Sequence, residues 1–207
     1  MVLDATPVVV AGGRSRRFGE QDKLVTELNG QPLIDRAAAA AARATRRDPV
    51  VATRDGGHAD RLADAITGVR PSFVHDDPAY EGPVAGVAAA LDAVDTPWVF
   101  VCGGDMPWLS PRAIRLLGER AERLSPAGVV PLSDGRPEPL HGVYRVAELQ
   151  RAVDDACPRT SLRGIVERLS PLVTVPATHA DDSLRGSLAD VDEHADLLTP
   201  DVATISR

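Results

Sequence analysis

Short apolar runs rich in β-branched residues alternate along this chain with longer segments of helical period, and this alternation limits the fold more than any other feature. The clearest run is 98–102 (WVFVC), which is continuous and bulky, as in a strand buried on both faces of a sheet. A similar run lies at 7–11 (PVVVA), and an alanine-rich helical segment follows at 32–46. We therefore predict an α/β fold, with a doubly wound, mostly parallel sheet and helices on both faces.

The same patterns predict the remaining elements. Strands are expected at 50–53, 72–75, 129–132, 140–144 and 172–176, and helices at 58–67, 82–94, 111–124, 146–156 and 161–169. A loop is expected at 12–31, and a short strand plus a short helix at 186–198. Because no linker interrupts this order, we expect residues 1–207 to form a single domain, doubly wound over about 7–110 and mixed over about 111–198.

Composition excludes several classes of protein. The formal net charge of −7 argues against a nucleic-acid or anionic-membrane partner. There is no apolar run of about 18 residues, as a membrane span needs, and the acidic N-terminus does not resemble a signal peptide. The two cysteines are too few for a disulfide framework, so we expect a cytoplasmic protein.

Residues 11–23 (AGGRSRRFGEQDK) directly follow the first predicted strand and combine glycines with cations. Gly12 and Gly13 lack side chains where backbone N–H groups would approach an anion. Arg14, Arg16, Arg17 and Lys23 supply positive charge in an otherwise acidic protein, and Lys23 is the one lysine against 22 arginines. We interpret the segment as a triphosphate-binding loop, although its glycine spacing fits neither a P-loop nor a dinucleotide-binding loop.

Three further segments are candidates for parts of a nucleotide site. Asp105 follows the strand at 98–102, at the edge of an open α/β sheet where ligands bind, and a carboxylate facing a triphosphate is a natural Mg²⁺ ligand. Gly82 and Pro83 open the helix at 82–94, whose free N–H groups and small side chains suit a base or a sugar. Near the C-terminus, Asp190, Asp192 and Glu193 are either a second carboxylate set for Mg²⁺ or the acidic first turn of a last helix.

These motifs together resemble the molybdenum cofactor guanylyltransferases. The resemblance rests on AGGRSRRFGEQDKL, NGQPLIDR, GPVAG and GGDMPWL, in that order, over most of residues 8–110, with weaker support at 139–144 and 188–197. It implies the Rossmann-like fold of the nucleotide-diphospho-sugar transferases. It also implies transfer of GMP from GTP to a molybdopterin-type phosphorylated acceptor, with Mg²⁺ as cofactor and pyrophosphate as the second product.

The resemblance also implies roles for individual residues. Ala11, Gly12 and Gly13 would contact the nucleotide through their backbone, Arg17 and Lys23 would hold its phosphates, and Asp105 would bind Mg²⁺, with Asp192 as a second ligand. Asp76 would face guanine, and Asp77 is the alternative because the alignment slips by one residue. Residues 7–110 would form the nucleotide-binding half and 111–198 the acceptor-binding half.

Three other functions remain open at this stage. A CTP-using relative would act on the same cofactor, although a cytosine site has no reason to place a carboxylate at Asp76. A second alternative is a guanylyltransferase for another phosphorylated acceptor. The third is a non-catalytic nucleotide-binding module that works with molybdoenzyme maturation proteins, which are also expected as further partners. No histidine is assigned to catalysis: His75 and His141 are expected at strand ends or in loops, with His141 as an alternative acceptor contact.

Overall fold

The computed structural model describes residues 3–13, 22–177 and 182–189. Its strands are β1 (Ala5–Val10), β2 (Glu27–Leu28), β3 (Gln31–Pro32), β4 (Val50–Thr53), β5 (Ser72–His75), β6 (Trp98–Gly103), β7 (Gly128–Ser133), β8 (Arg136–Pro137), β9 (His141–Arg145) and β10 (Leu172–Pro176). Its helices are α1 (Leu33–Thr45), α2 (Gly56–Ala65), α3 (Pro83–Leu91), α4 (Pro111–Leu124), α5 (Val146–Asp154), α6 (Leu162–Val166) and α7 (Asp182–Ser187).

One twisted sheet runs through the described part of the molecule in the order β10-β7-β9-β6-β1-β4-β5, with β8 paired to β7. Strand β1 is parallel to both β4 and β6, and β4 is parallel to β5. Strand β10 is parallel to β7, whereas β9 lies between β6 and β7 and is antiparallel to both. The mostly parallel sheet is therefore confirmed, with β9 inserted as an antiparallel strand and β8 paired antiparallel to β7.

Helices cover both faces of this sheet. Along β6, Phe100 and Cys102 pack into one apolar cluster, with α1, α2 and α4, whereas Val99 and Val101 pack into the other, with α3, α5 and α6. Because successive side chains of a strand point to opposite faces, a run such as WVFVC needs both layers to be buried. All six residues of β6 are buried, which confirms the expected central strand.

Two predicted segments differ from the structure. Within the expected loop 12–31, the chain forms a 3-10 turn at Lys23–Val25 and a small antiparallel hairpin of β2 and β3. The strand expected from residue 186 is wrong at its start, because α7 covers residues 186 and 187, and the helix expected after it lies outside the described residues. In the part of the chain that the structure describes, no helix is both long enough and apolar enough to span a membrane.

The carboxyl edge of the parallel strands gathers the segments that the sequence singled out. Strand β1 leads into Ala11, β5 into Asp76 and β6 towards Asp105. Backbone hydrogen bonds hold this edge together, since the Gly104 N–H donates to the Val10 carbonyl at 3.0 Å and the Asp76 N–H to the Thr53 carbonyl at 2.8 Å. Sheet topology thus brings residues more than 60 positions apart to one surface.

Candidate functional site

A cavity of about 660 Å³ opens at this carboxyl edge, a size suited to a nucleotide-sized ligand. It is lined by all the described residues to which we assign nucleotide or metal contacts: Ala11, Gly12, Gly13, Lys23, Asp76, Gly82, Pro83 and Asp105. Asp77, the alternative to Asp76, lines the same cavity. Arg17 and Asp192 lie outside the described residues, as do Asp190 and Glu193.

Lys23 and Asp105 meet at one side of the cavity. The Lys23 Nζ lies 2.9 Å from Asp105 Oδ2. This ion pair joins the 3-10 turn at Lys23–Val25 to the segment that follows β6. The Lys23 side chain is only 10% exposed, whereas that of Asp105 is 33% exposed and faces the cavity. An ammonium and a carboxylate are thus held together where a polyphosphate with its cation would need both.

The Asp105 carboxylate fits a magnesium site that a nucleotide completes. Among the residues that the structure describes, no three His, Cys, Asp or Glu side chains are grouped so as to hold a metal alone. Mg²⁺ keeps several waters and often binds through one or two carboxylates plus substrate phosphates, so a single accessible carboxylate suits it. Gly103 makes room for this carboxylate, because a Cβ there would lie 2.6 Å from Asp105 Oδ1.

Asp76 lines the same cavity and is packed between two glycines. A Cβ on Gly12 would lie 1.8 Å from Asp76 Oδ2, and a Cβ on Gly86 would lie 3.2 Å from Asp76 Oδ1. The buried Oδ1 has no hydrogen-bond partner among the described residues. Burial raises the pKa of Asp76 above its ordinary value, although the positive charges of His58, Arg54 and His75 act against this. Gly12 therefore has a reason beyond anion binding: it admits the Asp76 carboxylate.

Asp77 has a different local role. Its Oδ1 accepts a hydrogen bond from the Ala79 N–H at 2.8 Å, and its own N–H donates to the Ala85 carbonyl at 3.0 Å. A carboxylate that already shapes the turn before α3 is less available to a ligand than one with an unpartnered oxygen. The geometry thus favours Asp76 over Asp77 for contact with a base.

The start of α3 lines the cavity in the predicted way. Gly82 has φ +64°, a backbone conformation that glycine adopts without strain, and Pro83 occupies the first turn, where its missing N–H leaves no donor unsatisfied. The helix therefore presents its N-terminal end and the small side chain of Ala85 to the cavity.

The histidines expected at strand ends are found there. His75 is an exposed residue at the end of β5, and His141 begins β9. His141 is fully buried with its ring edge-on to Phe100, and its Nε2 lies 3.3 Å from Ser187 Oγ. Burial lowers its pKa to about 3, so it is neutral at physiological pH. The alternative that His141 contacts an acceptor is not supported, because Leu140 lines the cavity and His141 does not.

Sequence reasoning missed a polar cluster beside Lys23, formed by Asp22, Arg54 and His58. Arg54 directly follows β4 and lines the cavity. The rule that singled out Asp105, a charged residue just past the carboxyl end of a parallel strand, applies equally to Arg54 and would have found it. His58 is fully buried in the first turn of α2, and its sequence context shows only that Asp55 is spaced as a helix cap.

The model of the MobA-like NTP transferase domain matches residues 7–172 of this chain. The chain belongs to the MobA-like NTP transferase family. It is 37% identical over 169 residues to the probable molybdenum cofactor guanylyltransferase of Natronomonas pharaonis, covering 82% of this chain and 81% of that protein. It is 30% identical over 167 residues to the probable molybdenum cofactor guanylyltransferase of Haloferax mediterranei, covering 81% of this chain and 75% of that protein.

A solved structure shows the same fold. The molybdopterin-guanine dinucleotide biosynthesis protein A of Archaeoglobus fulgidus superposes with a TM-score of 0.75 at 24% identity, covering 93% of this chain and 95% of that one. These findings confirm the family and the fold that the four motifs indicated. The residues that line the cavity lie within the part of the chain that the family model matches.

Proposed function

We propose that this protein transfers GMP from GTP to the phosphate of a molybdopterin-type acceptor and releases pyrophosphate. The observation that carries the proposal is the buried Asp76 Oδ1, which has no hydrogen-bond partner among the described residues, on a side chain that lines the same cavity as the Lys23–Asp105 pair. The acceptor is inferred from relatives named molybdenum cofactor guanylyltransferases, which match over four fifths of the chain.

Asp76 is the proposed selector of guanine. Guanine offers two adjacent donors, its N1–H and its 2-amino group, and a carboxylate can accept from both. Cytosine and adenine lack this paired donor edge, so they would leave a buried carboxylate oxygen without a partner, which is costly. Guanine would thus give the Asp76 carboxylate the hydrogen-bond donors that cytosine and adenine do not.

The nucleotide is proposed to lie against the backbone of five residues: Ala11, Gly12, Gly13, Gly82 and Pro83. Lys23, together with Arg17, would hold the phosphates, and Asp105 would hold Mg²⁺, with Asp192 as a further ligand. Mg²⁺ when bound neutralises phosphate charge and aligns the reacting groups. Lys23 starts within 2.9 Å of Asp105, so the same residue can shift its contact to the pyrophosphate as charge develops there.

The reaction needs no general base from the protein. An oxygen of the acceptor phosphate, already an anion, forms a bond to the α-phosphorus of GTP. The bond from that phosphorus to the bridging oxygen of the β-phosphate breaks, and pyrophosphate leaves with the electron pair. The protein contributes positioning and charge stabilisation, which is consistent with the neutral, buried state of His141.

The domain halves fit this scheme. We propose that residues 7–110 bind the nucleotide and that 111–198 contribute the acceptor side, of which Leu140 already reaches the cavity. Because GTP and Mg²⁺ are cytoplasmic reactants, the proposed reaction takes place in the cytoplasm. Contact with molybdoenzyme maturation proteins stays a prediction.

Thermal unfolding with Mg²⁺ and each of GTP, CTP, ATP and UTP tests the nucleotide assignment. We expect GTP at 100 times its Kd to add about 2.7 kcal/mol of stability. The Asp76→Asn variant should lose the preference for GTP, whereas Asp77→Asn, which keeps an acceptor for the Ala79 N–H, should retain it. Selective stabilisation by CTP would move the function to cytidylyl transfer, and no stabilisation by any nucleotide would contradict the proposal.

A further inference from the structure

We propose that His58 is a positioning residue, which holds Lys23 at the phosphate side of the cavity through the carboxylate of Asp22. The inference rests on the proposed function, because it assigns His58 a task in the same site. His58 itself is fully buried and does not line the cavity, so it acts on the reaction only through its neighbours.

Asp22 links His58 to the turn that carries Lys23. Asp22 caps the 3-10 turn Lys23–Val25, since its Oδ1 accepts from the Leu24 N–H at 3.2 Å. Its other oxygen, Oδ2, lies 2.7 Å from His58 Nε2. One carboxylate thus fixes the backbone on either side of Lys23 and connects it to α2, an element that starts more than 30 residues later.

The histidine is well placed to hold this carboxylate. An ionised carboxylate only accepts hydrogen bonds, so a proton on His58 Nε2 makes the 2.7 Å contact with Asp22 favourable. The same nitrogen lies 3.3 Å from Arg54 Nη1, so Arg54 also packs against the ring. The His58 backbone is fixed in turn, because the Asp55 side chain caps α2 and accepts from the His58 N–H at 2.7 Å. A buried ring with a capped backbone has little freedom to move, so it anchors Asp22 to the rigid body of the sheet.

Arg54, which lines the cavity, also contacts the Asp22 carboxylate. Its Nη2 lies 3.5 Å from Asp22 Oδ2, and its Nη1 donates to the Gly13 carbonyl at 3.4 Å. Gly13 and Asp22 flank the segment 14–21 in the chain. The cluster therefore connects Gly13, three residues after β1, to Asp22, which caps the turn that carries Lys23.

The electrostatics of Asp22 agree with this role. Burial alone would raise the pKa of Asp22, but the hydrogen bonds from His58 and the Leu24 N–H, with the charges of His58 and Arg54, lower it below its ordinary value. The cluster thus favours ionised Asp22, the form that can accept from both the turn and His58.

The chain offers a direct probe, because Lys23 is its one lysine. Lysine labelled with ¹³C at its ε carbon gives a single side-chain NMR signal, and the Asp105→Asn variant provides its position without the carboxylate. We expect His58→Leu to move the Lys23 signal towards that position, in protein without nucleotide. His58→Gln, whose amide can still donate to Asp22, should leave the signal near its wild-type position.

Turnover should follow the NMR signal. We expect His58→Leu to lower kcat/KM by about 10- to 100-fold, the scale of losses from displacing a group by about 1 Å, and His58→Gln to restore most of it. The control is Leu62→Ala, because Leu62 is equally buried in α2 but cannot hydrogen-bond Asp22. It should lower the unfolding temperature and leave the Lys23 signal in place.

The proposal would be overturned by a folded His58→Leu protein whose Lys23 signal is unchanged, or by an equal change in Leu62→Ala. If His58→Leu does not fold, Asp22→Ala provides the second variant, since it removes the carboxylate that contacts His58, and an unmoved Lys23 signal there would overturn the proposal as well. The NMR readout needs neither GTP nor acceptor. If the proposed transferase function failed, the NMR result would still show whether His58 positions Lys23. Failure of the proposed function and failure of this proposal are therefore distinguishable.

Discussion

Lys23 shows how much a single residue type can indicate in a chain that otherwise uses arginine. An ammonium is a compact point charge with three donors, whereas a guanidinium is a planar fork that needs more room. In the structure, Lys23 is buried and its Nζ reaches Asp105 at 2.9 Å, at the side of the cavity proposed for phosphates. The rarity of lysine in the composition therefore pointed to a position where compact charge is needed.

Replacing Lys23 tests the phosphate role. We expect Lys23→Ala to reduce nucleotidyl transfer by about 100- to 1000-fold, the cost of removing one preorganised group that stabilises developing charge. Circular dichroism should show that the fold survives, because Asp105 is partly exposed and water can replace the lost contact. Near-normal turnover in a folded Lys23→Ala protein would remove Lys23 from the phosphate site.

Asp105 is tested through the metal. Asparagine keeps the shape of the side chain but loses its charge, so Asp105→Asn should require a higher Mg²⁺ concentration for half-maximal activity. Asp95→Asn is the matched control, because Asp95 is an exposed surface residue that contacts only the outer guanidinium of Arg47 among the contacts that the structure describes. An unchanged Mg²⁺ titration for Asp105→Asn would exclude Asp105 as a metal ligand.

Among the elements, the strands and helices with a clear period were predictable, and the segments without one were not. Strand 50–53 and helix 111–124 have the predicted bounds, since an apolar run and a serine-proline start mark them. The 3-10 turn at Lys23–Val25 and the hairpin of β2 and β3 are too short to show any period. The insertion of β9 between β6 and β7 depends on tertiary pairing that no local pattern reveals.

The candidate site divides in the same way. The position of Asp105 was predictable because it follows a recognisable strand, whereas Asp76 came only from the family resemblance, with Asp77 left open as the alternative. The cluster of Asp22 and His58 was not predictable, because the two residues are 36 positions apart and only the packing of α2 against the 3-10 turn brings them together. A lone histidine in a helix gives no sign of its partner.

At the level of the loop after β1, adjacent glycines should respond differently to a methyl group. Gly12→Ala places a Cβ 1.8 Å from Asp76 Oδ2, whereas a Cβ on Gly13 meets no atom of the described residues within 4 Å. We expect Gly12→Ala to cost about 1–3 kcal/mol, the range for overpacking, and to weaken GTP binding by displacing Asp76. Urea denaturation and calorimetric titration measure the two effects.

Gly13→Ala is the control for the fold, and its unfolding free energy should be close to that of the wild type. If both alanine variants had the same stability and the same affinity for GTP, the close packing of Gly12 on Asp76 would have no energetic importance.

At the scale of the whole molecule, buried polar groups make stability depend on pH. His141 is fully buried beside Phe100, and its pKa falls from 6.5 to about 3 in the folded protein. Below pH 6.5, His141 is protonated in the unfolded chain but stays neutral in the folded protein. His141 therefore lowers the free energy of unfolding progressively as the pH falls towards 3.

Substitution of His141 should therefore flatten the acid side of the stability profile. His141→Gln is expected to lose stability at pH 7, where the Ser187 contact is disturbed, and the difference from the wild type should narrow between pH 7 and pH 4. Urea denaturation at several pH values measures this, with His75→Gln as the exposed control. A difference that stays constant with pH would contradict the assignment of acid sensitivity to His141.

The whole chain is proposed to join two reactants across one sheet, GTP on the side of β1, β4 and β6 and the acceptor on the side beyond β9. Such a reaction gives a product that carries both. The relatives named molybdenum cofactor guanylyltransferases match over most of the chain, and the cavity lies in the matched part, so the product of GMP transfer decides the proposed function.

The most direct test supplies the protein with Mg²⁺, equal concentrations of GTP and CTP, and molybdopterin cofactor, and identifies the product by mass spectrometry while pyrophosphate is measured. We expect a guanine dinucleotide form of the cofactor, with one pyrophosphate released for each molecule formed. A cytosine dinucleotide, or GTP bound without any pyrophosphate released, would contradict the proposed GMP transfer.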